Sequence, residues 1–266
     1  MSRRLISDAN QKKAIIAETS DWSYFFGMFS PQPSTSFYLS ADVLRSRSVG
    51  GAVLHSVIDT PAPPARVVAD WERETRTQTL LEPGDVEQMP LARTRFRWPA
   101  FDDCLRAMQA WTQSIGLEDV LAASDIALMA CRGARYHHDG EQYGGAAFCN
   151  LFLSEDKGLD VHFPHTGQRI PLTRGVAMLF DTCQPHAVIR RGASGYTASD
   201  FPEGEDLSQW FLTWELPIED ARVAQALGVT FDVAPATAAQ LADEQVWVDG
   251  ARAVVCPESG QWRRAV

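Results

Sequence analysis

The residues of this chain best suited to chemistry gather in two short stretches, Tyr136-His137-His138-Asp139-Gly140 and Gln184-Pro185-His186. In an extended segment alternate side chains share a face, so His137 and Asp139 point one way and His138 the other. Two neutral imidazoles and a carboxylate on one side of an ion leave its remaining positions open. That is the donor set of non-haem iron(II) sites, which must also hold a cosubstrate and dioxygen. His186 stands 47 positions beyond Asp139, room for several strands of about five to six residues to fold back and present the third ligand. A His-x-Asp triplet alone is equally the pattern of a surface hydrogen-bonded pair. The argument for a metal is the strand-rich chain between the two stretches and the second histidine that ends it.

Strands must bring these stretches together. Ile126 to Cys131 is short, apolar and bounded, and the ligand stretch follows at once. Ala146 to Leu153 is a continuous apolar run, the pattern of a strand covered on both faces. Leu159 to Pro164 alternates, and Arg169 to Leu172 has the look of an edge strand, where Pro171 is tolerated. Gly175 opens Val176 to Phe180, Ala187 to Arg190 follows the second histidine, and Gln209 to Leu216 closes the set. About eight short strands with turn signals between them predict a mainly β fold with flanking helices and a double-stranded β-helix core, jelly roll or cupin-like, rather than an α/β sheet.

The rest of the chain is read as additions to that core. A helix is expected over 8–19, an aromatic cluster over 21–29 that packs an amino-terminal arm onto the barrel, and helix then strand over 36–59. The prolines of Thr60-Pro61-Ala62-Pro63-Pro64 force an extended loop. The stretch 67–81 shows no clean period, whereas Phe101, Leu105, Met108 and Trp111 mark a helix ended by Gly116. Beyond the core come helices over 218–227 and 236–243 and a hairpin over 246–255 turning at Asp249-Gly250. The expected organisation is one domain: an extension 1–119, the core 120–217, and 218–266, which covers a sheet edge or meets a second copy in a homodimer.

The order His-x-Asp, Ala147 to Glu155, Gly175 to Asp181, then Pro185-His186-Ala187-Val188 resembles that of the 2-oxoglutarate-dependent iron(II) oxygenases. The resemblance spans roughly residues 120–217, under half of the chain. It implies a jelly-roll core whose larger sheet is braced by helices such as 101–115. It also implies an enzyme: Fe(II) held by His137, Asp139 and His186, with 2-oxoglutarate and dioxygen consumed and succinate and CO2 released. The outcome would be hydroxylation of an unactivated C–H bond in a small molecule or amino-acid side chain. The far carboxylate of 2-oxoglutarate calls for a buried cation, typically an arginine in a bidentate pair, about ten positions after the distal histidine in many relatives. Here Gly195, Tyr196, Thr197 and Ala198 stand at that offset. Strand parity puts Arg190 on the face of His186, about 13 Å along the strand. It is the first candidate and Arg191 the second, ahead of Arg132, Arg135, Lys157 and Arg174. Asn150 either bonds a carboxylate or caps a bulge. Tyr136 and Gln184 flank the ligands and are expected to orient the imidazoles.

Composition narrows the remaining choices. The chain has 266 residues, 45% of them hydrophobic, enough for a sizeable interior, and a net charge of −10 that disfavours nucleic-acid binding. Polar residues follow Met1-Ser2-Arg3-Arg4-Leu5, so neither signal peptide nor membrane span is read, and a cytoplasmic protein is expected. The five cysteines are scattered and lack a CxxC pair, as reduced buried thiols do; Cys183 is expected as a packed residue. His162 and His165 form a rival ligand pair, disfavoured because Pro164 interrupts their strand. The loop Gly192 to Ser208 is either a lid over substrate or a solvated insertion. The alternative function is a cupin-like metal protein: an isomerase, a 2-oxoglutarate-independent dioxygenase or a non-catalytic ligand-binding domain. Against it, cupins want a His-x-His pair and a later Glu.

Overall fold

The computed structural model describes residues 34–77 and 81–265; the helix expected over 8–19 and the aromatic cluster over 21–29 lie outside them. In chain order the elements are β1 (Ser34–Ser40), β2 (Val43–Ser48), β3 (Val53–Val57), α1 (Ala65–Thr77), β4 (Val86–Met89), α2 (Leu91–Arg97), α3 (Phe101–Ser114) and α4 (Glu118–Ala122). Then follow β5 (Ile126–Cys131), β6 (Ala134–His137), β7 (Ala146–Phe152), β8 (Leu159–Phe163), β9 (Gln168–Pro171), β10 (Val176–Asp181), β11 (His186–Arg190) and β12 (Gln209–Pro217). The chain continues with α5 (Ala221–Leu227), α6 (Pro235–Ala238), β13 (Gln245–Val248), β14 (Ala251–Val255) and β15 (Trp262–Arg264).

Strands β5 to β12 build a jelly roll. One sheet has the order β3-β10-β7-β12-β5-β4 and the facing sheet β6-β11-β8-β9. The antiparallel chain thus passes between the two sheets in the winding of a double-stranded β-helix, as the strand pattern predicts. β10 and most of β12 are buried because they are covered twice. On the inner side Phe152, Met178, Phe180 and Phe211 meet Val161, Phe163 and Val188 of the smaller sheet. On the outer side Leu151, Leu179, Leu212 and Trp214 meet Trp71, Phe101, Met108 and Leu121 of the helices. Each such side chain contributes about 1.5–3 kcal/mol by leaving water. The helix expected over 101–115 is α3, and it braces the larger sheet.

Other parts differ from expectation. The stretch 36–59 lies in three strands instead of helix then strand: β1 pairs with β2 on one side and with β13 on the other, and the turn between β1 and β2 is made by Ala41 at φ 51°. The undecided stretch 67–81 contains α1, whose buried Val67, Trp71 and Thr75 recur every fourth residue; the charges between them mask the period. The helix expected over 236–243 is the single turn α6. The carboxy-terminal hairpin does turn at Asp249 and Gly250, both with positive φ (50° and 74°), the backbone of a type I′ turn. With β15 and the amino-terminal strands it makes a separate sheet, β15-β14-β13-β1-β2. Among the described residues no helix is long and apolar enough to cross a membrane.

One buried ion pair ties that sheet to the jelly roll. The Arg47 guanidinium on β2 grips both oxygens of Asp181 at the end of β10, at 2.6 and 2.8 Å, and both side chains are fully buried. Asp181 also accepts from the amides of Gly50 (2.6 Å) and Cys183 (2.9 Å), and Arg47 Nε donates to Gly144 O (2.9 Å). Removing one partner strands the other charge in a dry interior, a loss of about 3–5 kcal/mol. Chemical denaturation of Arg47→Met should show a loss of that size. The double variant Arg47→Met/Asp181→Leu should be the more stable of the two; if it loses more, the pair is not the junction described here.

Candidate metal centre

His137 ends β6 and His186 begins β11, and the two residues are directly opposed in the antiparallel pair. Strand geometry therefore puts both imidazoles on one side, with ring centroids 4.4 Å apart. Asp139 follows just past the strand. Its amide donates to Thr182 O (2.8 Å) and its carbonyl accepts from Tyr143 N (2.8 Å), while Thr182 Oγ1 donates to the carbonyls of Tyr143 and Ala146. These bonds clamp the turn carrying Asp139 to the turn leading into His186. A Cβ at Gly140 would overlap the Cys183 sulfur, so only glycine lets the two turns approach so closely.

The Asp139 carboxylate lies 3.6 Å from Nε2 of each histidine, one oxygen toward each ring. Donor atoms of all three residues fall within 4.8 Å of one another. His137 Nδ1 is 2.7 Å from Arg135 O, and His186 Nδ1 is 2.9 Å from Gln184 O. A carbonyl oxygen can only accept, so both Nδ1 atoms carry the proton and both Nε2 atoms keep a lone pair facing Asp139. This is the arrangement a divalent ion needs from imidazole ligands. Burial between Phe163 and Phe180, and then the neighbouring His137, pull the His186 pKa down to about 4, so this ligand is neutral at ordinary pH. Two imidazoles and one carboxylate fit iron(II), with its other positions open.

The remaining expected site residues are placed as follows. Gln184 does orient His186, through its backbone carbonyl; its side chain bonds Gly50 O and Ala52 O instead. Tyr136 faces the other side of β6, where its hydroxyl meets His162 Nδ1 at 2.5 Å. His138 also turns away, beside the Trp262 ring (5.2 Å), and His165 packs on that same ring (5.8 Å). Among the described residues the rival pair His162 and His165 joins no cluster of three ligating groups. Cys183 packs under Gly140, and burial pushes its thiol up to about 12; all five cysteines are free and buried.

Arg190 and Arg191 both have other partners in this structure. Arg190 lies at the far end of β11, with Nε donating to Asp200 O (2.8 Å) and Nη2 to Glu205 (2.5 Å). Arg191 is engaged by Asp156 and Asp160 at 2.9 Å. Parity does put Arg190 on the face of His186, yet acidic groups next to it at the strand end take its charge. The loop 192–208 joins the ends of β11 and β12 remote from the metal residues, and buried Phe201 and Tyr196, stacked at 5.6 Å, pin it there; it does not cover the centre. Asn150 points into the barrel and accepts a hydrogen bond from Thr213 Oγ1 (2.6 Å). The sequence reading missed Thr213, Thr182, Arg47 and the carbonyl of Arg135.

No family model matches the sequence, and no curated protein does. Among solved structures the chain is similar to a Pseudomonas putida prolyl-4-hydroxylase, at 18% identity and TM-score 0.37 over 62% of this chain and 92% of that one. It is also similar to the viral collagen prolyl hydroxylase of Paramecium bursaria Chlorella virus-1, solved as a 2OG complex, at 11% identity and TM-score 0.36 over 60% and 94%. A third likeness is a non-haem alpha-ketoglutarate-dependent epimerase from nogalamycin biosynthesis, at 11% identity and TM-score 0.31 over 62% and 76%. The fold assignment rests on the strand order, and the metal assignment on the donor geometry.

His137→Ala, Asp139→Ala and His186→Ala should each abolish iron(II) binding in anaerobic calorimetry while leaving the circular dichroism unchanged; full affinity in any of them would remove that residue from the ligand set. The lowered pKa of His186 sets a second expectation. Between pH 6.5 and 4 the unfolded chain takes up a proton that the metal-free fold refuses, so stability falls as pH falls through this window, by up to about 3 kcal/mol. Denaturation midpoints across that window should show the slope, and His186→Gln should flatten it.

Proposed function

We propose that this protein is a non-haem iron(II) enzyme that uses 2-oxoglutarate and dioxygen to oxidise an unactivated C–H bond of a small molecule or an amino-acid side chain. One observation carries the reading: two imidazoles with their Nδ1 protons tied to backbone carbonyls turn both Nε2 atoms toward one carboxylate at the mouth of a jelly roll. When bound, the iron supplies activation of dioxygen, with the 2-oxo acid giving succinate and CO2 and one oxygen atom passing to the substrate. The protein's own part is positional. Backbone carbonyls hold each ring in its ligating tautomer, the Thr182 clamp fixes Asp139 between them, and Phe163 and Phe180 exclude water behind His186. The net charge of −10 gives no basic track for a nucleic acid, which favours the smaller substrate classes.

The test is anaerobic addition of 2-oxoglutarate to the iron(II)-loaded protein. A weak visible charge-transfer band should appear, and admission of air with a substrate library should then give succinate. A fully iron-loaded protein that shows no band with any 2-oxo acid would overturn the proposal in favour of a cupin-like metal protein.

A further inference from the structure

Sheet register sets the two imidazoles, whereas Asp139 lies just past β6 and its carboxylate goes where its turn goes. Thr182 ties that turn to the one before β11. A second set of contacts comes from β13, β14 and β15, none of which carries a metal ligand. On β15 the Trp262 ring lies 5.2 Å from that of His138 and 5.8 Å from that of His165. On β14 Arg252 Nη2 donates to Glu141 Oε1 at 2.9 Å. On β13 Val246 covers Gly140, with Cγ2 3.2 Å from where a Cβ would stand. The residues touched, His138, Gly140 and Glu141, surround Asp139 in the chain.

The turn 256–261 between β14 and β15 reaches β6 itself. Its Pro257 carbonyl accepts from Tyr136 N at 3.0 Å, which gives the edge strand of His137 a second neighbour besides β11. A Cβ at Gly260 would stand 2.6 Å from both Tyr136 Cδ1 and Pro164 Cγ, so only glycine lets this turn seat so closely. Within the ligand turn, Gly140 N donates to His138 Nδ1 at 3.1 Å. That bond closes a small loop of chain around Asp139, and Trp262 packs on the imidazole that makes it. A displaced imidazole would release the Gly140 amide and with it one restraint on the ligand. Of these contacts the aromatic one carries the most weight, because an ion pair between side chains 50% and 43% exposed is screened by water.

We propose that β13, β14 and β15 form a positioning element of the metal centre, with Trp262 as the positioning residue that acts on Asp139 through the His138 ring and the Gly140 amide. The inference rests on the metal assignment of the reading above, and not on its oxidation chemistry. Groups that orient a ligand without touching the ion change metal affinity about ten- to a hundredfold when they are removed. Trp262 belongs in that range.

The experiment measures iron(II) affinity by anaerobic calorimetry and, as a report of ligand geometry, the visible spectrum of the cobalt(II)-loaded protein. Trp262→Ala should weaken iron(II) about tenfold or more and alter the cobalt spectrum, while Trp262→Phe, which keeps a ring, should stay within about threefold of wild type. Arg252→Ala should also stay within about threefold. Trp247→Ala removes a ring from the same sheet, where it packs on Phe37, and should leave both metal readouts unchanged. His138→Leu removes the other half of the Trp262 contact and keeps the test open should Trp262→Ala fail to fold. Where both fold, the double variant should lose no more iron affinity than His138→Leu alone. Wild-type affinity and spectrum in folded Trp262→Ala or His138→Leu would overturn the proposal, as would an equal loss in Trp247→Ala or additive losses in the double variant. Failure of the wild type to bind either ion would overturn the metal assignment itself, and the positioning role with it.

Discussion

Arg47 and Asp181 form a salt bridge that water does not reach, and much of the metal-binding end of the barrel is built around it. Asp181 directs its two oxygens at the guanidinium and at the amides of Gly50 and Cys183. Arg47 reaches the turn at Gly144 as well as the backbone of β2. Three segments distant in sequence, 47–50, the turn at Gly144 and 181–183, are thereby held at fixed separations, among them both turns next to the metal ligands. A buried pair of this kind is weak evidence for added stability against an apolar replacement of equal volume. Its value here is directional: apolar contacts tolerate sliding, whereas a bidentate pair with every acceptor used permits one arrangement.

The centre shows the same economy at smaller scale. No side chain orients the imidazoles; the carbonyls of Arg135 and Gln184, each two residues before the histidine it holds, do so. Arg135 lies within β6 and Gln184 in the turn just before β11, so ring orientation follows from sheet register and from that turn. β6 carries one residue more than β11 between the pairs His137 with His186 and Ala134 with Val188, an irregularity of the kind that re-aims a side chain next to a site. The sheet thus sets the geometry of the imidazole ligands.

How much of this was legible depended on whether the cause was local. Alternation, apolar runs and turn residues revealed every strand of the jelly roll, and the spacing of His137 and Asp139 revealed their common face. β1 and β2 were misread because they are held by a partner some two hundred residues away, β13, together with a buried arginine; nothing in 36–59 announces either. The ligands were visible by type, while their orienting groups were backbone atoms that no residue identity encodes. For Arg190 the facing direction was legible and the occupancy was not. Parity says where a side chain starts, and Glu205, in a loop of no regular pattern, decided where its charge ends. Asn150 was singled out, yet its partner Thr213 was passed over within the largely apolar run Gln209 to Leu216.

The separate sheet has a bearing on how the chain comes to be folded. β1 and its neighbour β13 lie some two hundred residues apart in the chain, so the layer that seats Arg47 remains incomplete until residues 245–248 have paired. The jelly-roll strands between them can pair earlier. During that interval Asp181 would be a carboxylate awaiting its cation, and the two ligand turns would be free to drift. The layer that braces the two ligand turns is thus closed by one of the longest-range pairings in the fold, the kind of contact that forms slowly because its loop must close first.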